Sequence, residues 1–271
     1  MGRYNFKFGD VWLSEFGGVC TEEPPIEIAQ RDITLIDIPG KDGSDCIDNG
    51  RYNNVEFTRT IALVGKRISS AKEKTIQLIN SFAYLQGYQP FEDTDHEGMV
   101  TEAVLLNLEE VIKNLRTMYT ATLKFSRKPY WTLKSSLEEM PLDNTEVSGN
   151  GVEIYNPYPT TACPIIRFYL KTDPHSTLAT VKIKMSISST YDGVYSTKNY
   201  SNLGINFLYT HNILDFDIEN QRVVVHSPSG EIYKYADAPI PKPIGPGTTK
   251  IQAEINKDID YISIIPKWRC L

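Results

Sequence analysis

Histidines and paired acids come first, because their spacing is what would reveal a metal centre or general acid–base chemistry. The four histidines are His96, His175, His211 and His226. None stands in an H-E-x-x-H pattern or at any other metal-ligand spacing, so they read as loop or strand-face residues. Asp93-Thr94-Asp95-His96-Glu97-Gly98 imitates the opening of a calcium loop, with oxygen donors at positions 1, 3 and 5 and glycine at 6. The position that should hold a bidentate glutamate is Val104, and no helix leads into the loop in register. There is no G-x-S-x-G nucleophile elbow, no Walker A loop and no G-x-G-x-x-G, so neither a serine hydrolase nor a nucleotide cofactor is expected. The 34 acidic residues offer no distinguished pair for glycoside hydrolysis. No catalytic residue, metal ligand or cofactor-binding residue emerges, and the chain is expected not to be an enzyme. Tyr191, Tyr195, Tyr200 and Tyr209 form an aromatic cluster with two readings. They are a platform for sugar stacking, or they are sandwich core and loop anchors; the second is the more economical.

Composition narrows the classes further. The chain has 271 residues, 41% hydrophobic and 23% charged, values of a globular protein with room for one large or two ordinary domains. The net charge is −6, and no basic tract exceeds two residues, which argues against a surface that displaces counterions from nucleic acid. Cys20, Cys46, Cys163 and Cys270 make no C-x-x-C pair and no short disulfide framework. The N-terminus lacks the apolar region of a signal peptide, and no apolar run approaches membrane-spanning length. Synthesis in a cytosol with reduced thiols, without membrane insertion, is the expectation.

The elements that must position any site are mostly strands. Tyr is abundant at 16 residues, and Val, Ile and Thr are frequent, which favours β-structure. Strands are expected at 3–13 and 26–30. One helix is expected over 69–86, with Ser70 and Glu73 at capping-box spacing. Its apolar stripe would be Ile76, Ile79, Phe82, Ala83 and Leu85, and Gly87 would lie past its end. Residues 89–98 read as a polar loop. Val104, Leu105, Leu108, Val111, Ile112 and Leu115 fall at helical spacing, whereas 117–127 alternates as a strand. The polar stretch 134–150 has linker composition, dividing the chain into 1–133 and 151–271. The second part reads as short strands at 152–155, 163–171, 179–187, 205–209, 213–217, 221–226, 249–255 and 260–265, the pattern of an antiparallel sandwich.

The most distinctive stretch is Arg31 to Val64. A β-rich run to Ile38 is followed by Pro39-Gly40-Lys41-Asp42-Gly43, by a second turn signal at Asp48-Asn49-Gly50, and by an alternating strand over 55–64. Val55, Phe57, Ile61 and Leu63 share one face of that strand, interrupted by Arg59. The elements alone make this a β-meander with two tight turns.

The string Ile38-Pro-Gly-Lys-Asp-Gly43 followed by Asp48-Asn-Gly-Arg-Tyr52 resembles the N-terminal signature of the distal tail (Dit) proteins of long-tailed bacteriophages. Lys128-Pro129-Tyr130-Trp131 resembles the end of that family's first domain. Asp215 to Val224, Pro241 to Ile251 and Ile264 to Leu271 resemble its acidic turn, its Pro-Gly segment and its closing strand, with Lys267 in place of a usual arginine. The likeness spans nearly the whole chain and is weakest over 88–112 and 172–210.

The resemblance implies a mainly β, two-domain protein with one clear helix, and it implies a strand over 100–106 where the apolar spacing suggests a helix. The N-terminal domain would be a ring-forming β-sandwich with that helix and a β-hairpin arm, and the C-terminal domain a galectin-like antiparallel β-sandwich. It implies a homohexameric ring at the virion tail tip, assembled in the bacterial host cytoplasm. The ring would join the tail tube protein and tape measure protein to a tail-associated lysin or receptor-binding protein. DNA would pass through the lumen without specific binding. The alternative is a carbohydrate-binding host-adsorption protein acting through the C-terminal sandwich. The residues expected at the assembly interface are Pro39, Gly40, Asp42, Gly43, Asn49, Gly50, Arg51 and Tyr52.

Overall fold

The computed structural model describes residues 4–108, 111–115, 117–171, 179–191, 194–207, 210–236, 240–255 and 259–271. The chain forms two compact units, Met1–Trp131 with Leu271, and Thr132–Cys270. The first unit contains β1 (Phe6–Phe8), β2 (Val11–Trp12), β3 (Gly18–Cys20), β4 (Arg31–Asp37), β5 (Ser44–Tyr52) and β6 (Val55–Val64). Helix α1 (Ile68–Ala83) follows, then β7 (Gln89–Asp93), β8 (Met99–Leu108), β9 (Ile112–Leu115) and β10 (Met118–Arg127). Antiparallel pairing gives the order β2-β1-β7-β8-β10-β6-β3, with β9 on β10, while β4 and β5 make a separate two-stranded sheet.

The alternation of β6 is what makes it central. Val55, Phe57, Arg59, Ile61 and Leu63 are all buried on one face, opposite Ala121, Leu123 and Phe125 of β10 in the register Ala121↔Ile61, Leu123↔Arg59 and Phe125↔Phe57. A cluster of phenylalanines fills the space above them. Phe57 and Phe125 stack at 5.3 Å, Phe6 and Phe91 at 5.5 Å, and Phe82 of α1 meets Phe8 edge-on at 5.5 Å.

Two helix expectations are corrected. Ser70 is not the N-cap: Arg67 is, in extended conformation, and Ser70 sits in the first turn, its Oγ accepting from Arg67 N at 3.3 Å. The buried stripe is Ala71, Thr75, Leu78 and Phe82; Ile76 is exposed. The close passage of Ala71 against Gly65 fixes this facing, because a Cβ added at Gly65 would stand 2.5 Å from Ala71 N. Residues 89–93, expected in a polar loop, form β7, and 99–108 and 112–115 are strands, as the resemblance implied for 100–106 and against the helical spacing. The helical spacing has a cause. The pairings Lys124↔Asn107 and Phe125↔Leu105 skip Leu106, and this bulge shifts the alternation of β8 by one residue, so its apolar positions imitate a longer period.

The second unit begins within β11 (Trp131–Leu133) and continues with β12 (Met140–Leu142), a short helix α2 (Asn144–Ser148), β13 (Val152–Asn156), β14 (Ile165–Leu170), β15 (Ala179–Tyr191) and β16 (Val194–Phe207). Then come β17 (Ile213–Asp217), β18 (Arg222–His226), β19 (Ile232–Ala236), β20 (Gly247–Ile255), β21 (Ile259–Ile265) and β22 (Arg269–Cys270). A sheet of order β12-β21-β14-β17-β18-β19 shares one core with a sheet of order β13-β20-β15-β16. Phe168, Phe216, Ile262 and Ile264 enter it from the first, and Ile183, Met185, Ile251 and Ala253 from the second. The 134–150 stretch is not a linker. Leu142 and Val147 belong to this core, and the Asp143 carboxylate caps α2 by accepting from Thr145 N at 2.7 Å and Glu146 N at 3.2 Å. Polar composition there reflects caps and turns rather than an unfolded tether. β19 and most of β16 also lie beyond the expected strands.

Candidate assembly arm

The β4–β5 hairpin is exposed along nearly its whole length. An isolated two-stranded ribbon is marginal in water, so its base must be held. Asn53 N donates to Gln30 O at 2.8 Å, Arg31 pairs with Asp48 at 2.7 Å, and Arg51 Nε donates to Asp32 at 2.6 Å. Tyr52 meets Tyr130 edge-on at 5.9 Å. The bond from Arg51, helped by one from Asn49, holds the Asp32 carboxyl below its usual range. The Gly50 amide does the same for Asp48 against the cost of desolvation, with help from Arg31.

The segment entering the arm is tied to the buried face of the sheet. Arg59 Nη1 donates to Glu27 Oε1 at 2.6 Å and to Thr58 O at 2.9 Å, and Arg59 Nε donates to Tyr4 OH at 2.9 Å. Its guanidinium lies 4.5 Å from the Phe57 ring centre. Tyr4 in turn donates to Asp93 at 3.2 Å. Burial pushes the Tyr4 phenol well above its ordinary value despite the adjacent Arg59, so it remains a donor. Arg127 Nη2 donates to Glu27 O at 2.9 Å. The arginine that interrupts the apolar face of β6 is thus the clamp on the strand leading into the arm.

The expected interface residues fall into two groups. Pro39, Gly40, Asp42 and Gly43 form the tip, where Gly40 and Gly43 take φ of 84° and 79°. Asn49, Gly50, Arg51 and Tyr52 lie near the base, roughly 20 Å away along a strand rising about 3.3 Å per residue. Asp48-Asn49-Gly50 is not a second turn. It is an irregularity inside β5, between the pairings Arg31↔Tyr52 and Ile33↔Asp48, in which Gly50 takes φ 71° and its N–H donates to Asp48 Oδ1 at 2.9 Å. The chain then leaves the ribbon to enter the main sheet as β6, so the stretch is a hairpin plus a core strand rather than a meander.

What the motif obscured is apolar. Ile33 and Leu35 on one face, and Ile36 and Ile47 on the other, are exposed, as are Ile38 and, before the arm, Ile28 and Ile26, the last at 92%. Large apolar side chains concentrated on an exposed ribbon make it a candidate contact surface. The signal in the sequence is Ile33-Thr-Leu-Ile-Asp-Ile38, which puts apolar residues on both faces of a strand that no second layer covers.

The calcium-like loop takes a structural place. Asp93 accepts from Asp95 N at 3.1 Å and His96 N at 2.8 Å, so the carboxylate of the calcium-like loop caps its own turn, and His96 stacks on Trp131 at 4.0 Å. Among the described residues no group of three or more His, Cys, Asp or Glu side chains could hold a metal ion. No described helix is long and apolar enough to cross a membrane. Tyr191 ends β15, and Tyr195 and Tyr200 lie in β16 in the pairings Thr190↔Tyr195 and Met185↔Tyr200. Tyr209 and His175 lie outside the described residues.

Comparison with known proteins finds no matching family model and no matching curated protein. Solved structures do match. The Dit protein (gp 19.1) of phage SPP1, described as a paradigm of the hub adsorption apparatus in phages infecting Gram-positive bacteria, superposes with a TM-score of 0.66 at 13% identity, covering 100% of both chains. A chain of the phage P2 baseplate in its activated conformation with calcium gives 0.50 at 7% identity, covering 97% of this chain and 96% of that one. The protein has the fold of the SPP1 Dit protein along its entire length.

Proposed function

We propose that the chain is a structural subunit of a phage tail tip and that it works without catalysis. In this reading copies close head-to-tail into a homohexameric ring between the tail tube and the adsorption apparatus, and DNA leaves through the lumen. Such a ring needs a heterologous interface that closes on itself. The observation that carries the reading is the full-length likeness to the SPP1 hub protein, which spans both units and leaves neither chain with an unmatched domain.

The arm supplies a physical basis. Its exposed isoleucines and leucine are unfavourable in water and favourable against a neighbour. Pro39, Gly40, Asp42 and Gly43 would shape the end that reaches the adjacent copy. Asn49, Gly50, Arg51 and Tyr52 would set its angle of departure. Tube, tape-measure and receptor-binding or lysin proteins would be the partners at the two faces, in a particle assembled in the host cytoplasm. The net charge of −6 per copy keeps a lumen from retaining DNA if acidic groups line it. Native mass spectrometry of the purified chain tests the ring: a dominant species of six copies supports it, and a ladder ending at the dimer refutes it.

A further inference from the structure

The first unit carries a second exposed apolar surface, at the end of β6 remote from the arm. Ile61 and Leu63 face the core, so alternation turns Val64 to the other side of the sheet. Pairing aligns Val64, Met118 and Leu115 across β6, β10 and β9, and Ile112 lies on the same side opposite Thr120. Val64 and Ile112 are half exposed and Leu115 is 61% exposed, so this apolar row meets water in the free subunit. Charge accompanies it. Lys66 and Arg67 stand just beyond Val64, both exposed, and Arg67 is the N-cap of α1. No acidic residue stands in the first turn of α1, so two cations sit where the helix dipole is already positive. Neither forms an ion pair among the described residues. Apolar exposure and uncompensated charge are both unfavourable in the isolated subunit, and both become favourable against a partner that is apolar and acidic.

The arm has that chemistry. Ile33, Leu35 and Asp37 follow one another at alternate positions of β4, so one face of the ribbon is apolar and ends in an acid toward the tip. The tip holds Asp37, Asp42 and Asp45 against Lys41 alone, and Lys41 pairs with Asp45. Asp37 and Asp42 are left without a cation among the described residues. The arm joins β6 at Val55 and the apolar row lies at Val64, the two ends of a strand about 30 Å long. A head-to-tail contact needs its two complementary surfaces on different sides of the subunit, and β6 separates them. We propose that the row formed by Val64, Met118 and Leu115, with Lys66 and Arg67 beside it, is the seat for the arm of a second copy of this chain. Ile33 and Leu35 of that arm cover the row, and Asp37 and Asp42 face Lys66 and Arg67. This inference rests on the head-to-tail reading above and adds to it the surface that receives the arm.

The test is a charge swap between two full-length variants, read by native mass spectrometry. The seat variant carries Lys66→Glu and Arg67→Glu, and the arm variant carries Asp37→Lys and Asp42→Lys. Each alone sets like charges against each other at every contact, which should weaken the contact by on the order of a hundredfold and leave monomers. Mixed in equal amounts, each arm finds a seat of opposite charge, and the expected product is a closed ring with three copies of each variant. Glutamates at the start of α1 suit the helix dipole, so the seat variant should melt no lower than the parent monomer, which separates lost assembly from lost folding. The inference is overturned if the parent assembles and either variant alone assembles as the parent does, since the seat is then filled by something other than a neighbour's arm. It is also overturned if the parent assembles and the mixture stays monomeric. A parent that is itself monomeric refutes the ring reading and this inference with it.

Discussion

Replacing Ile33 and Leu35 together by serine separates assembly from folding. Leu35 is 66% exposed and Ile33 46% exposed in the free subunit. Fully burying such a side chain is worth about 2 kcal/mol, so covering the exposed fractions yields about 1.3 kcal/mol for Leu35 and about 0.9 for Ile33. In the proposed ring the pair would therefore contribute roughly 2 kcal/mol to each subunit contact, on the order of thirtyfold in its equilibrium constant. A closed ring repeats that loss at every interface. The folded subunit loses little, because surface substitutions of this kind usually change stability by less than about 0.5 kcal/mol. Size-exclusion chromatography with light scattering should show the double variant as monomer where the parent is a ring, and thermal melts of the two monomers should coincide. A variant that still forms rings would refute the assignment of the arm. A melt lowered by several degrees would show that these side chains are covered within the subunit.

Three further outcomes follow from the same geometry. Arg59→Met should cost about 3–5 kcal/mol in urea unfolding by stranding Glu27, and the double variant Arg59→Met with Glu27→Gln should recover part of it. Burial pushes the Cys20 thiol up to about 12, so Ellman's reagent at pH 8 should modify exposed Cys46 quickly and Cys20 only on unfolding. Burial opposes ionisation of Glu139, but bonds from Ser263 and Tyr169, with Arg167, hold its carboxyl below the usual range in the folded chain, so its contribution is present above the ordinary carboxylate value and is lost as pH falls through the lower folded value. Glu139→Gln should accordingly flatten the acid limb of the stability curve below about pH 4.5 and change nothing about its slope near neutrality.

Much of this fold was legible where one physical signal dominated. The alternation of Val55, Phe57, Ile61 and Leu63 located the strand that anchors the first unit, and Arg59, which breaks it, proved to be the buried clamp on Glu27. The turn residues from Pro39 to Gly43 located the hairpin tip. Legibility failed where two signals overlapped. The bulge at Leu106 gave a strand the apolar spacing of a helix. Asp48-Asn49-Gly50 has the residues of a turn but spends them on an irregularity inside β5. Leu142 and Val147 were hidden in a polar segment because two apolar residues carry little pattern, yet both reach the core. The proposed seat for the arm was invisible for a different reason. Its apolar members come from three separate strands, and only the sheet order brings them together.

The central claim is a closed ring that uses the arm, and negative-stain electron microscopy of the purified chain tests it most directly. The account predicts class averages with six-fold symmetry and an open centre, lost in the Ile33→Ser, Leu35→Ser double variant. Only monomers at high micromolar concentration, together with no such ring in any tail particle, would contradict it.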